Sequence, residues 1–137
     1  MKENRDALLR EVVERIKSRY NIVAIILFGS RARGDHTPWS DYDLLVIADF
    51  YQPYLDRIRD ILEAIGDIPL PIEPHPYTLE EAIEMLKKGN PTIYDALDEG
   101  ILLYSSERFN KLKELFRVLK EKGMVRTETT IIIPSNE

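Results

Sequence analysis

Two aspartates in the segment S-D-Y-D-L-L-V have the spacing of a divalent-metal site. Asp41 and Asp43 are separated by one residue, and the apolar run D-L-L-V-I-A begins at the second of them. Residues two apart on a strand have side chains on the same face, so both carboxylates point the same way. Paired carboxylates that leave room for water and phosphate oxygens are what Mg²⁺ needs. The segment therefore predicts a magnesium site.

A possible phosphate-binding turn precedes these aspartates. Gly29 and Ser30 follow the apolar run Ile22–Phe28, and ten residues separate Ser30 from Asp41. Glycine has no Cβ, so the backbone can turn sharply there and a ligand can come close. A short helix could begin at Ser30, and the free N–H groups of a helix start suit phosphate.

Polar and aromatic side chains between the turn and the aspartates could contribute to phosphate binding. We expect Arg33 to hold the β- and γ-phosphates, whereas for Arg31 a phosphate role and ordinary surface charge stay equally open. The Ser40 hydroxyl could bond a phosphate or fasten the loop. We expect Trp39 to cap the core rather than stack on a base, and we give His36 no role.

Gly-Ser, ten residues and Asp-x-Asp together resemble the signature of the DNA polymerase β-type nucleotidyltransferase superfamily. The short chain and the segment R-A-R-G-D resemble its minimal nucleotidyltransferase branch. The resemblance is firmest over residues 22–86. It implies a polymerase β palm-like fold, ATP as substrate, two Mg²⁺ ions at Asp41 and Asp43, and an antitoxin role beside a HEPN-domain protein.

The resemblance also implies a third carboxylate on the strand after the second main helix. Glu73 is the only acidic residue of the segment L-P-I-E-P-H-P-Y, so it takes that position as a metal ligand and as the group that accepts or directs the proton of the attacking hydroxyl. The family more often has aspartate here, which leaves the role as base less secure than the role as ligand. His75 shares the face of Glu73 if the strand is regular, but between prolines we expect it to be exposed.

The elements that position these residues follow from the apolar pattern. Helical spacing and capping residues predict helices over residues 1–20, 52–65, 79–88, 91–98 and 107–122. Apolar and β-branched runs predict strands over residues 22–28, 43–48, 70–77 and 101–104. The prolines at 69, 71, 74 and 76 indicate that the third strand is an edge strand or a broken one.

This alternation indicates an α/β (α+β) fold. The connection between the first two strands is too short for a parallel crossover, so we expect them to be antiparallel. The resemblance implies a small mixed sheet with helices packed mainly on one face. We predict a single nucleotidyltransferase domain over residues 1–123. The tail 124–137, which contains the β-prone run T-T-I-I-I, is predicted to add a strand or to pair in a homo-oligomer or with a partner.

Composition excludes several function classes. The chain has 137 residues, 44% of them hydrophobic, which suffices for one core. The absence of cysteine excludes disulfides, zinc–thiolate sites and thiol nucleophiles. A net charge of −5 makes general nucleic-acid binding an unlikely function. Without a leader pattern or a long apolar run, we expect a cytoplasmic protein with no membrane contact.

Three functions fit these observations. The first is Mg²⁺-dependent transfer of a nucleoside monophosphate, AMP from ATP, to a hydroxyl, which the resemblance suggests is a tyrosine of a HEPN toxin. The second is transfer to a small molecule such as an aminoglycoside, for which the chain is short. The third is a binding-only antitoxin with a residual site, which the intact Gly29–Ser30 and Asp41–Asp43 pairs disfavour.

Overall fold

The two apolar runs that flank the candidate motif form neighbouring strands at the centre of a sheet. In a computed structural model, which describes residues 2–134, strand β1 (Ile22–Phe28) pairs with strand β2 (Tyr42–Ala48). The pair is antiparallel, and Phe28 lies opposite Asp43. The antiparallel pairing predicted from the short connection is confirmed. The end of β1 and the start of β2, where the two parts of the motif lie, are therefore side by side.

The other elements follow in the predicted order. The helices of the described residues are α1 (Lys2–Arg19), α2 (Ser30–Arg33), α3 (Tyr54–Ile65), α4 (Leu79–Lys87), α5 (Pro91–Glu99) and α6 (Asn110–Glu121), with a 3₁₀ turn at Glu107–Phe109. The remaining strands are β3 (Ile72–Tyr77), β4 (Ile101–Ser105), β5 (Val125–Arg126) and β6 (Ile131–Ile132). Met1, where the first helix was predicted to begin, lies outside the described residues. Among residues 2–134, no helix is long and apolar enough to cross a membrane.

The sheet is mixed, as expected. Its strand order is β3-β2-β1-β4. Strand β1 is antiparallel to both neighbours, whereas β3 runs parallel to β2 because α3 carries the chain back across the sheet. Strand β3 is at one edge, in agreement with its prolines, and β4 is at the other.

Helices cover both faces of this sheet, which differs from the expectation of helices mainly on one face. All seven residues of β1 are buried, so each face needs a cover. One face packs against residues of α1 and α3, among them Val12, Ile16 and Ile61. The opposite face packs against α4, α5 and α6 through Leu86, Ile93 and Leu112. The two apolar layers hold the central strands from both sides.

The tail pairs with itself rather than with the four-stranded sheet. Strands β5 and β6 form a separate two-stranded antiparallel hairpin. Met124 and Ile131 are buried in the apolar layer of α4, α5 and α6, and a Cβ at Gly89 would lie 3.1 Å from the Ile133 side chain. The hairpin therefore belongs to the core of that face. Its part in oligomerisation or partner binding stays a prediction, and residues 135–137 lie outside the described part.

A salt bridge fastens the start of α4 to α3. Glu81 completes a capping box with Thr78, whose backbone N–H donates to the Glu81 carboxylate at 2.8 Å. The same carboxylate accepts a 2.7 Å bond from the buried guanidinium of Arg57. Burial opposes ionisation of Glu81, but the bonds from Arg57 and Thr78 outweigh it and hold the pKa of Glu81 below its ordinary value of 4.5.

Substitution of the buried hairpin residue should destabilise the chain. We expect Ile131→Ala to lower the free energy of unfolding by about 2–4 kcal/mol, because it leaves a cavity in the core. The matched control is Ile132→Ala, whose side chain is 53% exposed and should cost well under 1 kcal/mol. Urea unfolding followed by circular dichroism measures both. Equal effects of the two variants would show that the hairpin contributes nothing to the core.

Removal of the Glu81 charge should weaken the dependence of the free energy of unfolding on pH in the acidic range. A carboxyl with a lowered pKa in the folded state adds stability above its unfolded pKa, and the chain loses that stability as pH falls through the folded value. We therefore expect Glu81→Gln to be less stable than wild type at pH 7, with a difference that shrinks below about pH 4. Urea unfolding at several pH values measures this, with the exposed Glu80→Gln as control. A constant difference between wild type and Glu81→Gln would contradict the assignment.

Candidate active site

The turn at Gly29 brings the backbone directly against the Asp43 carboxylate. Gly29 has φ 76° and ψ −157°, a conformation that is essentially restricted to glycine. A Cβ built on Gly29 would lie 2.6 Å from Oδ2 of Asp43. The four-residue helix α2 follows, with the N–H groups of Ala32 and Arg33 donating to the Gly29 carbonyl. Glycine is thus required here by both the dihedral angles and the neighbouring carboxylate.

The parallel pairing of β2 and β3 places three potential metal ligands together. Asp43 pairs with Glu73, and Leu45 pairs with His75, so the side chains of residues 43, 73 and 75 share one face. One ligand atom from each of Asp43, Glu73 and His75 lies within 4.8 Å of the other two. His75 Nε2 is 3.2 Å from Oδ1 of Asp43, and the His75 ring meets the edge of Phe28 with centroids 4.9 Å apart.

The neighbours of Glu73 in this cluster have opposite effects on its ionisation: Asp43 disfavours it and His75 favours it. A side-chain hydrogen bond to Asp43, burial and the Asp43 charge together raise the pKa of Glu73, and the Asp41 charge adds to them. His75 acts in the opposite direction. Two carboxylates at this distance favour either a shared proton or a cation between them. Two oxygen ligands and one imidazole nitrogen therefore fit a divalent metal ion.

Asp41 stands apart from that cluster. It precedes β2, is exposed, and is not among the three residues whose ligand atoms lie within 4.8 Å. Tyr42, between the two aspartates, is buried in the layer under the opposite face, because successive side chains of a strand alternate between faces. The structure thus brings Asp43 and Glu73 together and leaves Asp41 outside that group. The roles of all three as metal ligands stay predictions.

The loop before Asp41 is fastened by its own side chains. The Arg31 guanidinium donates to the Ser40 carbonyl at 3.0 Å and lies 4.3 Å from the centre of the Tyr42 ring. The Ser40 hydroxyl accepts from the Thr37 N–H at 3.0 Å. For Ser40, these contacts match loop fastening, one of its two possibilities. For Arg31, they show a contact within the loop that neither a phosphate role nor ordinary surface charge describes, and its phosphate role stays a prediction. A bond from Ser40 to phosphate stays a prediction.

Arg33 is engaged by acidic side chains. It contacts Asp35 at 3.1 Å and Glu99 at 3.0 Å. These bonds raise the pKa of the Arg33 guanidinium, so it stays charged. To hold a phosphate, as the sequence predicts, Arg33 would exchange these partners for phosphate oxygens.

Two residues differ from their sequence-based description. Trp39 is 87% exposed and does not cap the core, because the loop turns its side chain away from the sheet. His75 is half-buried beside Asp43 and is not an exposed residue between prolines. The spacing of two residues between Glu73 and His75 indicates this position, because residues two apart on a regular strand such as β3 share a face.

Comparisons with known proteins agree with this geometry. The family model described as "Nucleotidyltransferase domain" matches residues 9–123. The Methanocaldococcus jannaschii protein named "Putative protein adenylyltransferase MJ0604" is 48% identical over 106 residues, which cover 74% of this chain and 99% of that protein. A second protein of that organism, "Putative protein adenylyltransferase MJ1305", is 34% identical over 122 residues and 82% of each chain.

Solved structures show the same fold. A crystal structure of a toxin–antitoxin with AMP-PNP superimposes with a TM-score of 0.53 and 16% identity. The match covers 80% of this chain and 84% of that one. The polymerase β-type fold expected from the motif is thereby confirmed.

Replacement of Gly29 by alanine should displace Asp43 from His75. We expect Gly29→Ala to move the imidazole resonances of His75, because the new Cβ and the Asp43 carboxylate cannot occupy the same space. Gly34→Ala is the matched control: Gly34 also has a positive φ, at 87°, but a Cβ there meets nothing within 4 Å. The chain has two histidines, so ¹H–¹³C NMR distinguishes His75 from His36.

The control should keep the wild-type His75 resonances while losing about 1 kcal/mol of stability to backbone strain. Identical His75 spectra in wild type and Gly29→Ala would contradict the close approach of Gly29 and Asp43.

Proposed function

This chain belongs to the nucleotidyltransferase domain family, and from that premise we propose that it transfers AMP from ATP to a hydroxyl group of a protein. It is an enzyme of the nucleotidyltransferase class. The observation that carries the proposal is the meeting of Asp43 and Glu73 beside the Gly29 turn. Two relatives named as protein adenylyltransferases support AMP as the group and protein as the acceptor.

In this proposal, Asp41, Asp43 and Glu73 hold two Mg²⁺ ions. Bound there, the ions would supply positive charge to the nucleotide phosphates and to the charge that develops in the transition state. A hydrogen bond to Asp43, burial and the Asp43 charge raise the pKa of Glu73, and a bound cation would favour the ionised form of both carboxylates. Asp41, which is exposed outside this cluster, is proposed to bind the ion that arrives with the nucleotide.

The remaining residues position the nucleotide and the acceptor. The backbone at Gly29 and Ser30 lets the phosphates approach without obstruction by a Cβ, and Arg33 and Ser40 are proposed to bond their oxygens. The acceptor oxygen attacks the α-phosphorus in line, an oxygen–phosphorus bond forms, and the bond to the β-phosphate oxygen breaks to release pyrophosphate. Glu73 accepts or directs the proton of that hydroxyl. Positioning and charge neutralisation provide most of the rate enhancement.

We propose further that the acceptor is a tyrosine of a HEPN-domain toxin and that the chain is its antitoxin. The resemblance to minimal nucleotidyltransferases suggested this partner, and the similarity to a toxin–antitoxin structure with AMP-PNP supports it. The exposed Trp39, two residues before Asp41, offers an apolar surface that a macromolecular acceptor could contact. We propose that the reaction takes place in the cytoplasm.

Nucleotide binding should require the carboxylates of this site. With ATP at about a hundred times its dissociation constant and excess Mg²⁺, the folded state gains roughly 2.7 kcal/mol, which should raise the melting temperature by on the order of 10 °C. We expect Asp43→Asn to abolish the shift. Asp56→Asn, an exposed substitution of the same kind on α3, should keep it. A full shift in Asp43→Asn, or none in wild type, would contradict the proposed site.

The acceptor is identified with [α-³²P]ATP. Incubation of the chain with Mg²⁺ and a HEPN-domain protein should place label on the HEPN protein, and the label should be lost when its acceptor tyrosine is replaced by phenylalanine. Asp43→Asn should lower the transfer rate by at least about a hundredfold. Label on an aminoglycoside instead would favour the small-molecule transferase. ATP binding and complex formation without transfer would favour the binding-only antitoxin.

A further inference from the structure

Among the described residues of the candidate metal site, Asp43, Glu73 and His75, the imidazole of His75 supplies the one nitrogen ligand. Its Nε2 atom lies 3.2 Å from Oδ1 of Asp43, and it belongs to the group of three ligand atoms within 4.8 Å of one another. Two ligands on opposite sides of an octahedral ion lie about 4.2 Å apart, given bonds of about 2.1 Å. The three atoms therefore need only small shifts to surround one ion.

The position of His75 is fixed by its surroundings. Pro74 and Pro76 on either side are buried. Each proline has a locked φ, and Pro76 also restricts His75, the residue before it, to extended backbone. The edge of the Phe28 ring packs against the imidazole at a centroid distance of 4.9 Å. The parallel register with β2 then directs His75 to the face of Asp43 and Glu73. A ring held by packing has already lost its rotamer entropy, which favours binding of an ion.

A nitrogen ligand changes which ion the site prefers. Mg²⁺ is a hard ion that takes oxygen ligands and keeps several of its waters. Imidazole binds divalent transition-metal ions better than it binds Mg²⁺. A site with two carboxylates and one imidazole should therefore discriminate between these ions, whereas a site with carboxylates alone would do so less.

We propose that His75 is a direct ligand, with Asp43 and Glu73, of one of the two metal ions, and that this ligand makes the position selective for a transition-metal ion over Mg²⁺. The inference rests on the proposed function, because it assigns the ion of that same site. It replaces one of the two Mg²⁺ ions of the proposed site by a transition-metal ion and leaves the second position, near Asp41 and the phosphates, to Mg²⁺. Mn²⁺ is the probe, since it is paramagnetic and also replaces Mg²⁺ at oxygen sites.

The direct test is pulsed electron paramagnetic resonance on the full chain with Mn²⁺ and ATP. We expect modulation from a ligated ¹⁴N nucleus that changes to the ¹⁵N pattern when the protein carries ¹⁵N-labelled histidine, which separates histidine from adenine nitrogen. The signal should disappear in His75→Ala. It should persist in His36→Ala, because the chain has only these two histidines and His36 is exposed on the loop.

Calorimetric titration measures the selectivity. We expect His75→Ala to weaken Mn²⁺ binding at this position by about tenfold or more and Mg²⁺ binding by less than about threefold. His75→Gln separates two roles, because its amide can still donate a hydrogen bond to Asp43. If His75 only orients Asp43, His75→Gln keeps the wild-type Mn²⁺ affinity. If His75 binds the ion, the preference for Mn²⁺ is lost in both variants.

The outcomes distinguish this inference from the proposed function. Mn²⁺–ATP binding that depends on Asp43 but shows no histidine nitrogen overturns the role of His75 and leaves the nucleotidyltransferase site intact. No Mn²⁺–ATP binding in wild type overturns both. Melting temperatures of His75→Ala and His75→Gln near that of wild type, measured without metal, exclude unfolding as the cause of a lost signal.

Discussion

The repulsion between the Asp43 and Glu73 carboxylates is the interaction around which the site is built. The parallel register of β2 and β3 places the two residues directly opposite each other, and the Gly29 turn closes the third side. Both groups are still partly accessible to solvent, so the charge is held at the surface of the sheet and not inside the core. A fold that keeps two like charges together loses stability, and a cation bound between them would remove that penalty.

The two apolar layers make that arrangement possible. Strand β1 is buried along its whole length, and β2 is buried apart from Asp43, so the strands that carry Gly29 and Asp43 cannot shift without breaking both layers. Interiors at close packing resist such movement. The loop from α2 to β2 is fastened separately, through Arg31 and Ser40. The buried strands thus fix the position of the Asp43 carboxylate, and the loop contacts fix the segment that leads to it.

Local patterns in the sequence predicted the strands, the main helices, the antiparallel pairing and the motif, because periodicity, capping and short connections are local properties. They did not predict the second layer of helices, since which face a helix covers depends on the whole topology. They also misjudged Trp39 and His75, for which residue type suggested one environment and the tertiary contacts supplied another. The register of β2 against β3 is long-range information, and it decides that His75 lies beside Asp43.

The prolines of β3, which indicated an edge strand or a broken one, lie in an edge strand and also explain its rigidity. An edge strand pairs on one side only, through alternate residues, so Pro74 and Pro76 can both direct their missing N–H to the open side. The Pro76 carbonyl on that side accepts from the buried Arg57 at 3.4 Å. Glu73 and His75 alternate with the prolines and therefore lie on a strand whose φ angles are restricted and whose free edge resists pairing with other chains. The same residues that weaken the sequence signal for a strand thus hold two of the cluster's three ligand side chains in place.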